Sequence, residues 1–513
     1  MLSPTINKLL LGIDLGTSGV KVGIYKPEGA LIGIGRSSPY TLSSPKPGWV
    51  ESDPELWWQG IVEAIHAALC EAGVKGDAIG GIGLSVFYPS VVPIDSQGKS
   101  MYPAIPYCDQ RSISQVKEIL SLISRDEYQK IVGNILVPGT SAVTSMMWLR
   151  DEEPDIYKKA EVLGFGNTYI TGRLTGSYYT DSTMASLTGL ADINNLFQWS
   201  ENLCQKLSID KSRLPSIAGP SEVIGGVSKA ASDETGIKEG TPVVCGCGDA
   251  VASAFGAGAL DEGTLVYIAG STDCVTMPFA RPTNDRRWLN SGFVRKEFWL
   301  GIGTMTSSGA SIDWFSREFF DDQGAESIER MTDFAASSKP GANGILYLPY
   351  LQGERTPVWD PLARGVFIGL SSTTTRKELA RAVFEGTALG LRDVIMSLEE
   401  MRGRPVREIR AVGGGTQNDL WNQIKADVLQ KPLDVLDFQE TGSLGAALLA
   451  GIGANIYSSF QEASSVARKM TKTKRIEPNP RLKEVYDELF SIYRKLYPQT
   501  REILHSLAGG TSP

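Results

Sequence analysis

The chain has 513 residues, of which 42% are hydrophobic and 21% charged, and its formal net charge is −8. This length exceeds what one hydrophobic core ordinarily serves, so it predicts two domains of similar size, and the composition is typical of a soluble globular protein. Because the mild negative charge is spread along the chain, it argues against a nucleic-acid-binding protein.

The cysteines, histidines and apolar runs exclude further classes of protein. Six cysteines at irregular positions predict reduced thiols in a cytoplasmic protein, and the Cys245–Cys247 spacing does not fit a CxxC metal or redox motif. The only histidines, His66 and His505, do not accompany a serine or cysteine elbow, so a general base would be a carboxylate. No signal peptide precedes the first predicted strand, and no apolar run reaches the length of about 18 residues that a membrane span needs.

The first predicted elements are two strands in "GIDLGTSGVKVGIY", residues 12–25, joined by a turn at Gly16 and Gly19. A carboxylate at the end of a buried strand is costly, so Asp14 either pairs inside the fold or faces a positive group. A third strand in "GALIGIGRSSPY" and a helix that begins within "SDPELWW" follow. Strands and helices then alternate along both halves of the chain, which indicates an α/β protein.

The segment "GTPVVCGCGDAVASAFGAGALDEGTLVYIAGST", residues 240–272, reads as strand, turn, helix and strand. Asp249 follows the first of these strands and two glycines, so it is either a helix cap or a catalytic base at the mouth of a cleft. Beyond it, "LVYIAGST" and "EIRAVGGGTQND" echo the opening strand and turn. This weak internal repeat favours two domains of related architecture that face each other.

Three glycine-rich turns follow apolar strands, at residues 13–19, 268–272 and 411–419. Consecutive backbone N–H groups in such turns bind anions, and the positive end of a following helix adds to the effect, although ordinary α/β turns look similar. The "GKS" string at 98–100 is not a Walker A loop, because Pro93 stands where its first glycine belongs. No GxGxxG motif opens a helix, which disfavours a dinucleotide-dependent oxidoreductase.

Taken together, five stretches resemble the FGGY carbohydrate kinases over nearly the whole chain. They are the opening hairpin, "ESDPELWW", "GTPVVCGCGDAVASAFGAG", "AVGGGTQNDLWNQIKADVLQKPL" and, as the most specific, "LYLPYLQGERTPVWDPLARGVFIGLSSTTTRKELARAVFEG" at 346–386. The stretch that begins "AVGGGTQND" resembles the family's adenosine-binding turn and helix. The resemblance implies two actin/hexokinase-like (ribonuclease H-like) α/β domains with a catalytic cleft between them. It implies a sugar- and phosphate-binding domain with the catalytic base at 1–259, and an ATP-binding domain at 260–505.

The resemblance also implies roles for individual residues. Asp249 would be the general base that contacts the sugar hydroxyl, and Asp14 would hold Mg²⁺ directly or through water, unless it only caps its own turn. The transferring phosphoryl group would meet Thr17, Ser18 and Lys21. The nucleotide phosphates would be held by Gly270, Ser271 and Thr272, with Gly309 near them. The adenosine would be approached by Gly414, Gly415 and Asn418.

Within the family, the loops "PAIPYCDQRS" and "GNILVPGTSAVTSMMWLRDEEP" resemble the xylulokinase-like branch, with Tyr107 in place of a tryptophan and Ser145 in place of a lysine. The main departure is Tyr88-Pro89, where that branch usually carries Met-His. The candidate sugar contacts are Phe87, Tyr88, Tyr107, Asp109 and Arg111, with Asp273 a further candidate. The alternatives are that Asp109 and Arg111 form an ion pair that steadies the loop, and that Phe87 and Tyr107 are core aromatics.

The expected function is that of an ATP-dependent sugar kinase that uses ATP and Mg²⁺ on a small sugar, with a ketopentose such as D-xylulose as the first choice. A kinase of another polyol or sugar acid (ribulose, gluconate or glycerol type), a non-catalytic sugar sensor and a chaperone-like ATP-binding module stay open as alternatives. We expect a cytoplasmic protein with no nucleic-acid or membrane partner, and a homodimer is left open.

Overall fold

The computed structural model describes residues 8–320 and 324–509, and within them the chain alternates strands and helices as the sequence predicts. The strands, in chain order, are β1 Leu9–Leu15, β2 Val20–Tyr25, β3 Leu31–Arg36, β4 Ile79–Val86, β5 Val91–Ile94, β6 Val162–Phe165, β7 Tyr179–Asp181, β8 Ala191–Asp192, β9 Asn195–Trp199, β10 Ser216–Ala218, β11 Val223–Gly226, β12 Pro242–Val244, β13 Cys247–Gly248, β14 Thr264–Ile268, β15 Asp273–Phe279, β16 Leu289–Gly292, β17 Trp299–Met305, β18 Leu346–Leu348, β19 Val366–Ile368, β20 Glu408–Val412, β21 Leu433–Leu436 and β22 Thr473–Ile476.

The helices differ widely in length, from one turn to seven. In chain order they are α1 Pro54–Ala72, α2 Ile113–Leu122, α3 Arg125–Val132, α4 Ala142–Glu152, α5 Pro154–Lys159, α6 Gly166–Thr175, α7 Ser182–Ala185, α8 Glu201–Lys206, α9 Lys229–Thr235, α10 Asp249–Gly256, α11 Gly309–Phe319, α12 Ala325–Ala336, α13 Arg376–Arg402, α14 Asp419–Leu429, α15 Thr441–Gly453, α16 Phe460–Met470 and α17 Lys483–Leu507. Short 3₁₀ turns lie at Lys211–Arg213, Ala342–Gly344, Gly414–Gln417 and Pro480–Leu482. In the part of the chain that the structure describes, no helix has both the length and the apolar character needed to cross a membrane.

The chain divides into two units by its internal contacts. Unit 1 comprises Met1–Leu260, Pro278–Gly301 and Glu440–Thr471, and unit 2 comprises Asp261–Met277, Ile302–Gln439 and Lys472–Pro513. Each unit contains its own large sheet with helices packed against it, so the predicted α/β class with two domains is confirmed.

The unit 1 sheet has the strand order β11-β12-β4-β1-β2-β3, with β13 also paired to β4. β1 is antiparallel to β2 and parallel to β4, and β4 is parallel to β13. Since parallel strands end at the same edge of a sheet, the last residues of β1, β4 and β13 meet there. Asp14, Ser85 and Asp249 stand at that edge.

Helix α15 packs on this sheet through small residues. A Cβ atom at Gly12 would lie 1.8 Å from the Ser443 carbonyl oxygen, and one at Gly83 would lie 1.9 Å from the Ala446 carbonyl oxygen. Only glycine allows backbone to approach backbone so closely. The close packing brings the first turn of α15 to the carboxyl end of β1.

The sheet of unit 2 carries the strand order β17-β15-β14-β20-β21-β22. β14 is parallel to β20, with Ile268 opposite Val412, so the glycine turns that follow these two strands leave the sheet side by side. The long helix α13 begins with a capping box, in which Thr375 and Glu378 bond each other's backbone, and its middle is buried. Helix α14 starts from the second glycine turn with Asn418 as its cap.

Candidate functional site

Asp14 lies at the carboxyl end of β1 and is partly exposed. It is opposite Ser85 across the parallel pair and opposite Lys21 across the antiparallel pair. The Ser85 hydroxyl donates to Asp14 Oδ1 at 2.6 Å. Burial raises the pKa of Asp14, while the Ser85 hydrogen bond and the Lys21 charge lower it and Glu440 raises it further. The turn is closed by its own backbone, since Gly16 N–H donates to the Gly19 carbonyl at 3.0 Å. No backbone N–H of the described residues donates to the Asp14 carboxylate, so Asp14 does not cap this turn.

The first turn of α15 touches this carboxylate. A Cβ atom at Gly442 would lie 2.7 Å from Asp14 Oδ2, so only a residue without a side chain leaves the carboxylate where it is. Glu440, just before the helix, pairs with Lys21 at 3.3 Å and with Arg36 at 2.7 Å. The sequence analysis singled out neither Gly442 nor Glu440. Lys21 is therefore held beside Asp14 by an acidic residue from a distant segment.

Thr17 and Ser18, at the tip of this turn, leave their hydroxyls open. Ser18 is exposed, and neither hydroxyl has a hydrogen-bond partner among the described residues. The turn itself is braced, because the Tyr40 hydroxyl donates to the Gly16 carbonyl and the Tyr40 N–H donates to the Ser18 carbonyl. A rigid turn with unoccupied hydroxyl and N–H groups can bind an anion.

Asp249 is the first residue of α10 and follows the end of β13. The N-cap position belongs to Gly248, so the alternative interpretation of Asp249 as the helix cap is not what the structure shows. Its carboxylate accepts a 2.7 Å hydrogen bond from Ala250 N–H, and no side chain in the described part of the chain donates to it. Burial and the nearby Asp14 charge raise the pKa of Asp249 to about 7. Asp249 is thus a carboxylate whose proton affinity suits a general base near neutral pH.

The surroundings of Asp249 include residues that the sequence analysis missed. The Gly248 N–H donates to Thr183 Oγ1 at 2.9 Å, and the Thr183 hydroxyl donates to the buried carboxylate of Asp181. Burial raises the pKa of Asp181 to about 6. Tyr88 packs on the other side, since a Cβ atom at Gly248 would lie 2.8 Å from the Tyr88 ring. The structure therefore places Tyr88 beside the backbone that carries Asp249.

The other candidate sugar contacts of unit 1 are more enclosed. Asp109 is fully buried and bonds the Arg111 guanidinium at 3.0 Å and the Val50 N–H at 2.6 Å. Arg111 also pairs with Glu51 and lies 3.9 Å from the centroid of the Trp49 ring. This arrangement corresponds to the loop-steadying ion pair that the sequence left as the alternative.

The two remaining aromatic candidates differ from each other. Phe87 is 2% exposed and packs edge to face on Trp57, with ring centroids 5.4 Å apart, so its side chain belongs to the core. Tyr107 is partly exposed, and its carbonyl accepts a hydrogen bond from Thr140. Ser145, where the resemblance predicts a lysine, is buried in α4, and its hydroxyl has no partner among the described residues.

In unit 2, the structure brings the predicted nucleotide turns together. The Gly309 N–H donates to the Gly270 carbonyl and the Ala310 N–H donates to the Ser271 carbonyl, both at 3.0 Å. The Gly415 N–H donates to the Ala269 carbonyl at 3.1 Å, which joins the turn after β20 to the turn after β14. Four segments, Ala269–Thr272, Ser307–Ala310, Gly413–Gly415 and the start of α14, thus form one surface.

Individual residues of this surface are used differently. Ser271, Thr272 and Gly414 are exposed, and Gly414 has no heavy atom within 4 Å of where a Cβ would stand. The Thr272 hydroxyl donates to the Thr306 carbonyl at 3.1 Å. Asn418 caps α14 through Trp421 N–H and donates to Thr332 Oγ1, both at 2.9 Å. The Asn418 side chain is therefore already engaged in holding the helix.

Two buried acidic residues support this surface from below. Asp273 accepts hydrogen bonds from the Tyr267 hydroxyl at 2.7 Å and the Ser308 hydroxyl at 2.6 Å, and Gly270 N–H lies 3.3 Å from it. Asp273 therefore faces the interior of unit 2 and not an open sugar pocket. Glu354 accepts hydrogen bonds from Thr306 N–H and Arg355 N–H, and burial raises its pKa to about 7.

No cluster of three or more histidine, cysteine, aspartate or glutamate side chains that could hold a metal by itself occurs within 8–320 and 324–509. A metal ion at Asp14 would therefore not be enclosed by three such side chains. One carboxylate suits Mg²⁺, which keeps several waters and is held largely by the phosphates of its substrate. It does not suit a structural zinc or calcium ion.

Comparison with known proteins agrees with this geometry. Residues 9–256 match the family model of the N-terminal domain of the FGGY family of carbohydrate kinases, and residues 265–454 match that of its C-terminal domain. The xylulose kinase of Bacillus subtilis (strain 168) is 29% identical over 500 residues, which cover 97% of this chain and 98% of the relative. The glycerol kinase of Thermococcus gammatolerans is 30% identical over 473 residues, which cover 90% and 92%.

Solved structures are similar over the same length. The crystal structure of a xylulose kinase from Rhodospirillum rubrum superposes with a TM-score of 0.89 at 28% identity and covers 97% of this chain and 100% of its own. That of a gluconate kinase from Lactobacillus acidophilus superposes with a TM-score of 0.88 at 26% identity and covers 96% and 98%. The two neighbours share the fold but differ in the sugar of their names.

Proposed function

Because the chain belongs to the FGGY family of carbohydrate kinases, we propose that it transfers the γ-phosphate of ATP to a hydroxyl of a ketopentose such as D-xylulose. Membership of the family makes the protein a carbohydrate phosphotransferase. The observation that carries the proposal for the site is the position of Asp249, a carboxylate with one hydrogen bond and a raised pKa, at the sheet edge where Asp14 also ends a strand.

The division of labour we propose follows the two halves of the chain. Residues 1–259 bind the sugar and supply the base, and residues 260–505 bind the nucleotide. The first half is supported by Asp14, Asp249 and the open hydroxyls of the turn at Thr17 and Ser18. The second half is supported by the joined turns at 269–272 and 413–415, whose backbone N–H groups suit phosphate and adenosine.

The proposed chemistry is a direct transfer. Asp249 accepts the proton of the attacking sugar hydroxyl as the bond to phosphorus forms, and its pKa of about 7 lets it do so near neutral pH. Lys21 and the turn N–H groups stabilise the negative charge of the transferring phosphoryl group. Positioning and charge stabilisation account for most catalysis of this kind, so no covalent intermediate with the protein is required.

Asp14 would hold Mg²⁺, directly or through a water, with its Oδ2 atom, since Oδ1 already accepts the Ser85 hydrogen bond. When bound, the ion would neutralise phosphate charge. The chain's own contribution is to fix Asp14 between Ser85 and Gly442, and to keep Lys21 beside it through Glu440.

For the sugar, the relatives named xylulose kinase support a ketopentose, and relatives named glycerol kinase and gluconate kinase support the alternatives. The Tyr88-Pro89 pair favours keeping these alternatives, because it replaces the usual Met-His of the branch and the Tyr88 ring packs on Gly248, next to the proposed base. A buried hydrogen bond that one sugar can form and another cannot changes discrimination by orders of magnitude.

The test is release of ADP from ATP and Mg²⁺ across D-xylulose, D-ribulose, gluconate, glycerol and other polyols, compared by kcat/KM. The largest value is expected with D-xylulose. A larger value with another compound would replace the ketopentose with that compound. No stimulation by any of them, together with sugar binding seen by calorimetry, would favour the non-catalytic sensor. Asp249→Asn is the matched control that must lack stimulated ADP release.

A further inference from the structure

A buried lysine beneath the proposed nucleotide surface has no role in the chemistry above. Lys425 lies on α14, is 1% exposed, and its ammonium has no hydrogen-bond partner among the described residues. Burying a charged group without hydrogen bonds costs folding free energy, so a buried lysine of this kind calls for an interaction that uses its charge. Its surroundings indicate what that use is.

The ammonium is held between two aromatic rings. Lys425 Nζ lies 3.4 Å from the centroid of the Trp421 ring and 4.9 Å from that of Tyr267. A cation over an aromatic face is attracted to it, and more strongly when water is excluded. The ammonium thus links α14, which carries Trp421, to β14, which carries Tyr267.

Each of these rings supports one of the two glycine turns. The Tyr267 hydroxyl donates to Asp273, and the same carboxylate holds the turn at Gly270 and the Ser308 hydroxyl before α11. The Trp421 ring packs against the other turn, because a Cβ atom at Gly415 would lie 2.9 Å from it. Lys425 is therefore the one described cation that contacts the supports of both turns.

Charge gives a second, independent link. The Asp273 carboxylate acts on Lys425 as the opposite charge and raises its pKa, although burial outweighs it and lowers the pKa to about 7. In return, Lys425 lowers the pKa of Asp273 against the effect of burial. Asp273, which the sequence analysis left as a loose candidate for the sugar, thus has its counter-charge inside unit 2.

We propose that Lys425 is a positioning residue for the nucleotide, whose ammonium, between Tyr267 and Trp421, fixes the turns at 269–272 and 413–415 in the arrangement that binds phosphates and adenosine. The inference rests on the proposed function, since it takes these turns as the nucleotide site. It predicts that the loss of Lys425 weakens nucleotide binding and leaves sugar binding unchanged.

The experiment measures ADP binding by calorimetry at about pH 6, where the ammonium form prevails, together with KM values for ATP and for the sugar. Lys425→Met removes the charge at similar volume, and Lys425→Met/Asp273→Asn, compared with Asp273→Asn alone, also removes the carboxylate that would otherwise be left without its counter-charge. The matched control is Lys474→Met, which removes an exposed lysine of β22 that pairs with Asp419 at the surface.

We expect both Lys425 variants to raise the Kd for ADP and the KM for ATP about tenfold, with the KM for the sugar within about twofold of wild type. If the single variant does not fold, comparison of the double variant with Asp273→Asn alone keeps the inference testable, because only Lys425 then differs between the two. ADP affinity equal to wild type in a folded variant would overturn the inference alone. A wild-type protein that binds no ADP would overturn both this inference and the proposed function. The control variant Lys474→Met must bind ADP as wild type does.

Discussion

Two hairpins of the molecule, one in each unit, have the same plan and use their acidic residue differently. In β1–β2, Asp14 comes before the glycine turn, is partly exposed and accepts one side-chain hydrogen bond. In β14–β15, Asp273 comes directly after the turn, is buried and accepts hydrogen bonds from a tyrosine, a serine and the turn itself. The Asp14 carboxylate is left available to a ligand, whereas the Asp273 carboxylate is occupied by hydrogen bonds within the protein.

The difference teaches that a glycine turn with an acidic residue is not by itself a ligand site. The neighbouring elements decide, because they set how many donors reach the carboxylate. Around Asp14 they supply Ser85 and then a glycine, Gly442, where a side chain would otherwise stand. Around Asp273 they supply hydroxyl groups that saturate it. Substitutions of the two aspartates should therefore have different effects on activity and on stability.

The largest expected loss of activity follows from a substitution of Asp249, the other carboxylate of unit 1 that is available to a ligand. Asp249→Asn should lower kcat about 10²–10⁴-fold, since general-base catalysis contributes about that much. The fold should be kept, because the carboxylate accepts one backbone hydrogen bond that an asparagine oxygen can also accept. ADP release and thermal unfolding measure the two effects. Near-normal turnover in this variant would remove Asp249 from the role of base.

Asp14 and Asp273 can be compared directly by the same substitution. Asp14→Asn should lower kcat about 100-fold and change the Mg²⁺ dependence. It should leave the melting temperature nearly unchanged, because the Ser85 hydroxyl donates to Asp14 and an asparagine amide oxygen can accept that hydrogen bond in its place.

Asp273→Asn, in contrast, should lower the free energy of unfolding. An amide at this position replaces an acceptor by a donor facing the Tyr267 and Ser308 hydroxyls, at a cost of about 1–3 kcal/mol. Thermal and denaturant unfolding measure it. If Asp14→Asn destabilised the protein more than Asp273→Asn, the distinction between the two hairpins would be wrong.

The pH profile sharpens the same distinction. Because the pKa of Asp249 is raised to about 7 and the base must be ionised to accept a proton, kcat/KM for the sugar should fall about tenfold per pH unit below that value. The profile should level off on the alkaline side of pH 7. Activity that stayed constant down to pH 5 would show that no group with this pKa acts as the base.

Much of this site was predictable, because local sequence determines it. The strand–turn–strand of residues 12–25, the helix beginning at Pro54 and the placement of Asp14 and Asp249 at strand ends follow from apolar patterns, glycines and capping residues. Parallel strands place such ends together whatever lies between them in sequence.

The residues that the sequence analysis missed act through packing between distant segments. Glu440 and Gly442 reach Asp14 only because α15 lies against glycines of β1 and β4, and the small residues of "TGSLGAALLAG" were the available signal. Asp181 acts through Thr183 on Gly248, a relation with no sequence pattern. Phe87 shows a case where the sequence allowed two interpretations. An aromatic residue beside a strand end can line a sugar pocket or pack in the core, and only the contact with Trp57 in the structure assigns Phe87 to the core.

The smallest expected effect tests whether α15 positions Asp14, and it compares two glycines of unit 1. Gly442→Ala places a Cβ within 3.0 Å of three Asp14 carboxyl atoms, so the carboxylate must shift. A displacement of this size should lower kcat up to about tenfold with the melting temperature little changed. Gly219→Ala is the matched control, because its Cβ would meet no atom closer than 3.7 Å and Gly219 has no part in the proposed site, so its kcat should stay as in wild type. Unchanged kcat and Mg²⁺ dependence in Gly442→Ala would mean that Ser85 alone positions Asp14, and that the helix contributes packing only.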